Sequence, residues 1–170
     1  MTLAEFNALP PAKAESTLQD CCGSARWAAQ VAAQRPYARL SALGDAADAA
    51  WRNLERADWL EAFRHHPQIG EQAATGSASA RKWAESEQSN ARSAGEDVKT
   101  RLARRNRAYF ERFGYIYIVC ATGKSAEQML ALLEHRLQND PAGELQVAAE
   151  QQRLITRLRL EKLFAGEQKS

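Results

Sequence analysis

The chain has 170 residues, of which 45% are hydrophobic and 26% are charged. This composition is that of a folded globular protein long enough to bury a core of its own, and it excludes general disorder. The formal net charge is +2, from 23 basic and 21 acidic residues. So balanced a charge gives no reason to expect binding to nucleic acid or to an anionic membrane.

The cysteines and the N-terminus indicate a cytoplasmic protein. Cys21, Cys22 and Cys120 make an odd number without metal-type spacing, which favours reduced thiols in a reducing compartment. The opening "MTLAEFNALPPAKAE" lacks the apolar run of a signal peptide. No stretch of the sequence approaches the roughly 20 apolar residues that a membrane span needs.

The hydrophobic spacing predicts one helix after another. Thr2, Ser24 and Ser41 are the predicted N-caps of three of these helices. Gly114 is expected to end a long helix, and Pro141 fits the first turn of the last one. In chain order, helices are predicted at 2–9, 12–22, 25–35, 42–54, 57–66, 80–92, 96–113, 125–139 and 141–164.

One segment departs from this pattern. Tyr115–Cys120, "YIYIVC", has the β-branched and aromatic content of a strand. A single strand cannot form a sheet, so we expect a buried, extended linker here. We therefore predict an all-α, single-domain, compact bundle of about eight helices over residues 1–164, with a frayed tail at 165–170.

The stretch "FRHHPQIGE" (Phe63–Glu71) contains two of the three histidines, directly before a proline. The ring of Pro67 pushes the preceding residue out of the helical region, so His66 should turn away from the helix axis. His65 should remain in the last turn, where the helix dipole favours it. The alternative is that both residues merely finish a helix. A metal site is not expected, because adjacent histidines cannot readily face one ion.

A second candidate is "KWAESEQS" (Lys82–Ser89). Trp83 and Glu87 are four residues apart and share a helix face. A carboxylate beside Trp83 is partly desolvated, which suits it to hold or pass a proton near neutral pH. Taken alone, however, Glu87 also fits an ordinary solvent-facing position.

A third candidate is the pair Arg157 and Arg159 in "LITRLRLEKL" (Leu154–Leu163). Residues two apart on a helix point in different directions, so only one of these arginines can face a pocket. That guanidinium would suit a carboxylate or an amide oxygen of a ligand. A structural salt bridge is the alternative.

A cluster of basic residues lies in "VKTRLARRNR" (Val98–Arg107). Such runs are commonly the solvated face of a helix. A nucleic-acid contact would call for interleaved exposed aromatic residues or glycine-rich loops, which this stretch lacks. The run leaves open a non-catalytic alternative, a helical protein-interaction module with a basic face.

Six segments in collinear order resemble the 2-oxo-4-hydroxy-4-carboxy-5-ureidoimidazoline (OHCU) decarboxylase family of urate degradation. They are "MTLAEFNALP", "HPQIG", "EQ" at Glu87–Gln88, "NRAYFERFGYIYIV", "LEHRLQNDPAGEL" and "ITRLRLEKL". Together they extend over nearly the whole chain, and "HPQIG" alone would be a weak signal. The resemblance implies an all-α homodimer that uses no metal and no organic cofactor.

The resemblance also assigns roles to individual residues. It implies that His66 and Glu87 are catalytic and that the substrate is bound by Pro67, Gln88, Ile116, Ile118 and Arg159. Arg157 is the less favoured alternative to Arg159. Many relatives carry a serine where this chain has Ala84, so a hydrogen bond to the substrate must be absent there or come from water or a neighbour such as Ser86. The implied reaction is cofactor-independent decarboxylation of OHCU to (S)-allantoin, the last step from urate to allantoin.

Overall fold

The computed structural model describes residues 1–69, 77–87, 89–92 and 94–165, with the backbone alone at 90 and 92. Every regular element in these ranges is a helix, and eight helices have seven residues or more. The all-α prediction of about eight helices is therefore confirmed. The helices are α1 (Leu3–Ala8), α2 (Pro11–Cys21), α3 (Ala25–Ala33), α4 (Leu40–Arg52), α5 (Arg56–Arg64), α6 (Ala78–Glu87), α7 (Ser89–Arg92), α8 (Glu96–Phe113), α9 (Ala126–Arg136) and α10 (Pro141–Leu163). None of them is long and apolar enough to cross a membrane.

The chain divides into two compact units. The terminal unit combines Met1–Ala62 with the C-terminal residues from Arg153 onwards, and the central unit is Phe63–Gln152. The boundaries fall inside α5 and inside α10. The single domain over 1–164 stays a prediction, and residues 166–170 of the predicted tail lie outside the described residues.

Two of the three predicted N-caps are confirmed. The Thr2 hydroxyl accepts from the Glu5 N–H at 3.2 Å, and the Glu5 carboxylate accepts from the Thr2 N–H in return. Ser24 caps α3 in the same way through the Trp27 N–H. The prediction for Ser41 is wrong, because α4 begins at Leu40 after Arg39, whose extended backbone (φ −154°, ψ 155°) starts the helix without a side-chain cap.

The terminal unit is built on α2, α3 and α4, which pack in that order. Trp27 is fully buried, and its indole N–H donates to the carbonyl of Ala47 at 2.9 Å, so α3 is tied to α4 by a polar bond inside an apolar contact. The ring of Phe6 meets that of Phe164 edge-on, at 5.6 Å between centroids. Burial of these large side chains supplies most of the unit's stability.

The central unit contains the irregular segment that the sequence predicted. Gly114, at φ 79°, ends α8 in the left-handed conformation, and its N–H donates to Phe110 at 2.8 Å. The chain then runs through Tyr115–Cys120 without forming a helix or a strand. All of this segment except Ile116 is buried. The prediction of a buried linker is confirmed for five of its six residues, and its extended conformation stays a prediction.

Candidate functional site

His66 lies where α5 breaks. The helix ends at Arg64, and the His66 N–H still donates to the Phe63 carbonyl at 3.2 Å before Pro67 stops the turn. His66 and Pro67 are partly buried, whereas His65 is exposed. His66 thus leaves the helix as predicted. His65 was expected in the last turn but lies one residue beyond the helix, a difference within the usual uncertainty of helix ends.

The ring of His66 meets Gln152 of α10. Its Nε2 atom lies 2.6 Å from the Gln152 side-chain oxygen, and Gln152 is fully buried. A buried amide needs polar partners, and the imidazole is one of them. The sequence analysis did not single out Gln152. Its helical spacing from Ala148 and Ala149, which are also buried, is the one signal that would have placed it inside.

The linker Tyr115–Cys120 is held at two backbone points. The carbonyl of Ile118 accepts from Nη1 of Arg136 at 2.6 Å, and the N–H of Cys120 donates to the side-chain oxygen of Gln151 at 2.9 Å. Ile118 is buried and Ile116 is partly buried. Adjacent glutamines of α10 therefore hold two segments with predicted site residues: Gln151 holds the linker and Gln152 holds His66.

Arg136 and Glu144 form a buried ionic cluster that the sequence analysis also missed. Nε of Arg136 donates to Glu144 at 2.7 Å, the Asn139 amide donates to the other carboxylate oxygen at 2.9 Å, and the Tyr109 hydroxyl donates to Glu144. Burial raises the pKa of Tyr109 well above its ordinary value, although the charge of Arg136 opposes this. Tyr109 therefore stays a neutral donor. The cluster fixes the arginine that holds Ile118.

Glu87 is the last residue of α6 and is partly buried, as is Trp83 one turn earlier. Ala84, at the position where many relatives have serine, is buried. Gln88 lies outside the described residues. Glu87 falls in the same unit as His66, and the proximity of their side chains stays a prediction.

The two candidate arginines differ sharply in their surroundings within the terminal unit. Arg157 donates to Asp48 at 3.0 Å and to Asp45 at 3.1 Å, and 32% of its side chain is exposed. Arg159 is only 5% exposed. It lies near Cys22, whose pKa burial raises to about 11 in spite of the arginine's positive charge. Arg157 therefore belongs to a surface ion-pair network, and the assignment of the ligand-binding role to Arg159 stays a prediction.

A surface pocket of about 440 Å³ lies elsewhere in the terminal unit and contains none of the predicted site residues. Its one arginine, Arg35, donates to the carbonyls of Phe6, Leu9 and Ala32 at 2.8–2.9 Å, so its guanidinium is committed to the fold. Across the described ranges, no group of three or more His, Cys, Asp or Glu residues is arranged to hold a metal ion.

The fold and the contacts described define an all-helical protein in which a histidine at a helix break contacts a buried glutamine. The chain belongs to the OHCU decarboxylase family, whose model matches residues 7–161. This match spans both units and contains every predicted site residue.

Individual relatives agree with the family match. The chain is 27% identical over 168 residues to the 2-oxo-4-hydroxy-4-carboxy-5-ureidoimidazoline decarboxylase of Haloferax volcanii, covering 98% of each protein. It is 39% identical over 152 residues to the uric acid degradation bifunctional protein TTL of Arabidopsis thaliana, covering 88% of this chain but only about half, 47%, of that relative. A crystal structure of OHCU decarboxylase in the presence of (S)-allantoin is 32% identical and superposes with a TM-score of 0.77, covering 88% of this chain and 98% of that one.

Proposed function

We propose that this protein is a carboxy-lyase that converts OHCU to (S)-allantoin, the last step of urate-to-allantoin conversion. The observation that carries the proposal is the family match over residues 7–161. It is supported by the position of His66 at the helix break that Pro67 predicts. The relatives that support the activity include proteins of the chain's own length, such as the Haloferax enzyme.

The chemistry of the substrate explains why the reaction needs no electron sink beyond the substrate itself. The ring carbon that loses the carboxylate also bears a hydroxyl, and its neighbour is doubly bonded to nitrogen. When the C–C bond to CO₂ breaks, its electron pair moves into the C=N bond. The resulting enol-like species then takes up a proton on carbon, and protonation on one face gives (S)-allantoin.

The protein's part in this reaction is to orient groups and to move a proton. His66 engages the hydroxyl and the carboxylate and helps the carboxylate to stand perpendicular to the ring, while Glu87 supplies the carboxylate that holds His66 in place. Arg159 and Gln88 hold the ring and ureido oxygens. Holding the substrate in a reactive geometry in this way lowers the barrier without a covalent intermediate.

Two finer features belong to this proposal: the protein is a homodimer, which rests on the resemblance, and it acts in the cytoplasm, which rests on the odd number of cysteines. Sedimentation equilibrium of the purified chain tests the first, and fractionation of the native host tests the second. A monomer that is fully active would rule out a requirement for the dimer.

The non-catalytic alternative, an interaction module with a basic face, has little support. Within the central unit, Arg101 and Arg105 of α8 both donate to Glu134 of α9, at 3.1 and 3.2 Å. Two of the five basic residues in Val98–Arg107 therefore serve helix packing. Charge reversal at Arg104 and Arg105 should abolish partner binding if the module exists, and it should leave turnover intact if the protein is the enzyme.

The proposed activity is tested with urate that has been freshly oxidised and hydrolysed in the cuvette. The wild-type protein should accelerate the decay of the late ultraviolet-absorbing intermediate and give optically active allantoin. His66→Ala should lose about 100-fold or more in turnover, the usual contribution of a general acid or base. The matched control is His65→Ala, which removes the exposed neighbour and should keep wild-type turnover. A racemic product formed at the uncatalysed rate by the wild-type protein would overturn the proposal.

A further inference from the structure

We propose that Gln152 is a positioning residue for His66: it keeps the proton of the neutral ring on Nε2 and fixes the orientation of the imidazole. This assignment is argued from the geometry of the central unit, and its kinetic consequences rest on the proposed function.

The side chains of Gln152 and His66 are in direct contact. The Gln152 oxygen and Nε2 of His66 are 2.6 Å apart, a short distance for a hydrogen bond between nitrogen and oxygen. An amide oxygen can only accept, so Nε2–H is the donor. In a neutral imidazole the proton on Nε2 leaves the lone pair on Nδ1.

The burial of Gln152 stabilises its contact with His66. Gln152 is fully buried on α10, and a buried amide that loses its partner has no water to replace it. Rotation of the imidazole would break this bond, so the buried amide opposes it. The partner residues of metal-binding histidines act in the same way: they fix the tautomer through the other ring nitrogen.

The preceding residue, Gln151, binds a different segment of the central unit. Gln151 accepts from the Cys120 N–H at 2.9 Å, so one turn of α10 holds both the histidine and the linker that carries Ile116 and Ile118. Adjacent residues of a helix point about 100° apart, so each glutamine serves a different segment. Gln151 is therefore the natural control for Gln152: it has the same side chain on the same helix and bonds to a backbone amide instead of the imidazole.

The decisive measurement is the ¹⁵N spectrum of the imidazole rings in the full-length protein. With only three histidines in the chain, the His66 signals are assigned by their absence from His66→Asn. At about pH 8.5, above the ordinary imidazole range, wild-type His66 should be the Nε2–H tautomer. Gln152→Met should shift the ring to a mixture of tautomers, and Gln151→Met should leave it unchanged. Gln152→Glu keeps an accepting oxygen and should retain the wild-type pattern.

Kinetics supply the second readout. Gln152→Met should lower kcat about 10- to 100-fold with little change in KM, the scale seen when a partner that orients a histidine is removed. Gln152→Glu should recover a large part of that loss. Circular dichroism verifies that each variant is folded. If Gln152→Met does not fold, the ¹⁵N spectra of the wild type and of Gln152→Glu still show whether the His66 ring carries its proton on Nε2.

Each outcome has a distinct meaning. An Nδ1–H tautomer in the wild type, or a ring unchanged in folded Gln152→Met, overturns the assignment. A wild type without decarboxylase activity whose ring nevertheless responds to Gln152→Met removes the proposed function and leaves the tautomer assignment standing.

Discussion

Arg157 and Arg159 show how neighbouring side chains of one type take different roles. Arg157 lies along α4, where it pairs with Asp45 and Asp48. Gly44 leaves room for it, because a Cβ at that position would collide with the guanidinium. This explains a glycine in the middle of a helix, where glycine normally costs stability. Arg159 is buried instead, so the two residues differ in environment as their spacing of two predicts.

At the residue scale we therefore expect substitutions of the two arginines to separate binding from stability. Arg159→Lys should raise KM about tenfold or more, because lysine cannot reproduce the planar fork of arginine. Arg157→Met should leave KM unchanged and cost at most about 1 kcal/mol of unfolding free energy, the range of partly exposed ion pairs. Steady-state kinetics and urea unfolding of both variants measure the two effects. If Arg157→Met raised KM and Arg159→Lys did not, the binding role would belong to Arg157.

His66 shows which features of the site can be predicted from neighbouring residues in the sequence. The exit of His66 from α5 follows from the proline ring one residue later, a steric effect that acts within two residues. The partner of His66 is 86 residues away along the chain. No rule of sequence spacing connects Gln152 to His66, and only the folded central unit brings them together.

Among the helices, capping chemistry predicted the starts at Thr2 and Ser24, because a hydroxyl that accepts from an N–H two or three residues later acts locally. The same chemistry failed at Ser41, since Arg39 starts α4 through its backbone conformation. The linker was recognised by its apolar content. What holds it, the guanidinium of Arg136, comes from a different helix and was not foreseen.

The buried cluster around Glu144 leads to an element-scale prediction. Glu144→Leu removes the counter-charge of Arg136, both residues being 5% exposed or less. An unpaired buried charge destabilises a protein by about 3–5 kcal/mol, so urea unfolding should show a loss of that order. The double variant Arg136→Met/Glu144→Leu should recover much of it, because an apolar pair carries no desolvation cost.

The control for this prediction is Glu134→Gln. Glu134 pairs with Arg101 and Arg105 at the surface of α9, where the hydrogen bond from Arg101 holds its pKa below the ordinary value. Glu134→Gln should lower the free energy of unfolding much less than Glu144→Leu does. Equal stabilities of Glu144→Leu and the wild type would show that the cluster is not needed to hold α9, α10 and the linker together.

For the molecule as a whole, the helical class could be predicted because each helix has a local hydrophobic periodicity. The division into a terminal and a central unit could not be predicted, because its boundaries lie inside α5 and α10, where the helical pattern continues without a break. The site is predictable only in part for the same reason. His66 stands out by its place before Pro67 and by the resemblance, and Arg159 stands out by the resemblance alone. Gln151 and Gln152 act through contacts that depend on the packing of α10.

Buried acidic groups in both units make the protein sensitive to alkaline pH. Burial raises the pKa of Cys22 from 9.0 to about 11, and it raises the pKa of Tyr37 and that of Tyr117 from 10.0 to about 12. Raised folded-state pKa values give stability that is fully present below the unfolded values and is lost as pH rises through the folded ones. Between about pH 9 and pH 12 the unfolded chain therefore releases protons that the folded chain retains.

We expect the free energy of unfolding to stay level up to about pH 9 and then to fall steadily towards pH 12. Tyr117, which is only 2% exposed, should contribute on the order of 2 kcal/mol to this fall in the free energy of unfolding by about pH 12. Urea unfolding followed by circular dichroism at several pH values across the window measures the total. Cys22→Ala removes one of the titrating groups, so its curve should be less steep between about pH 9 and pH 11. A stability that does not change across the window would mean that these side chains titrate alike in the folded and unfolded chain, in spite of their burial.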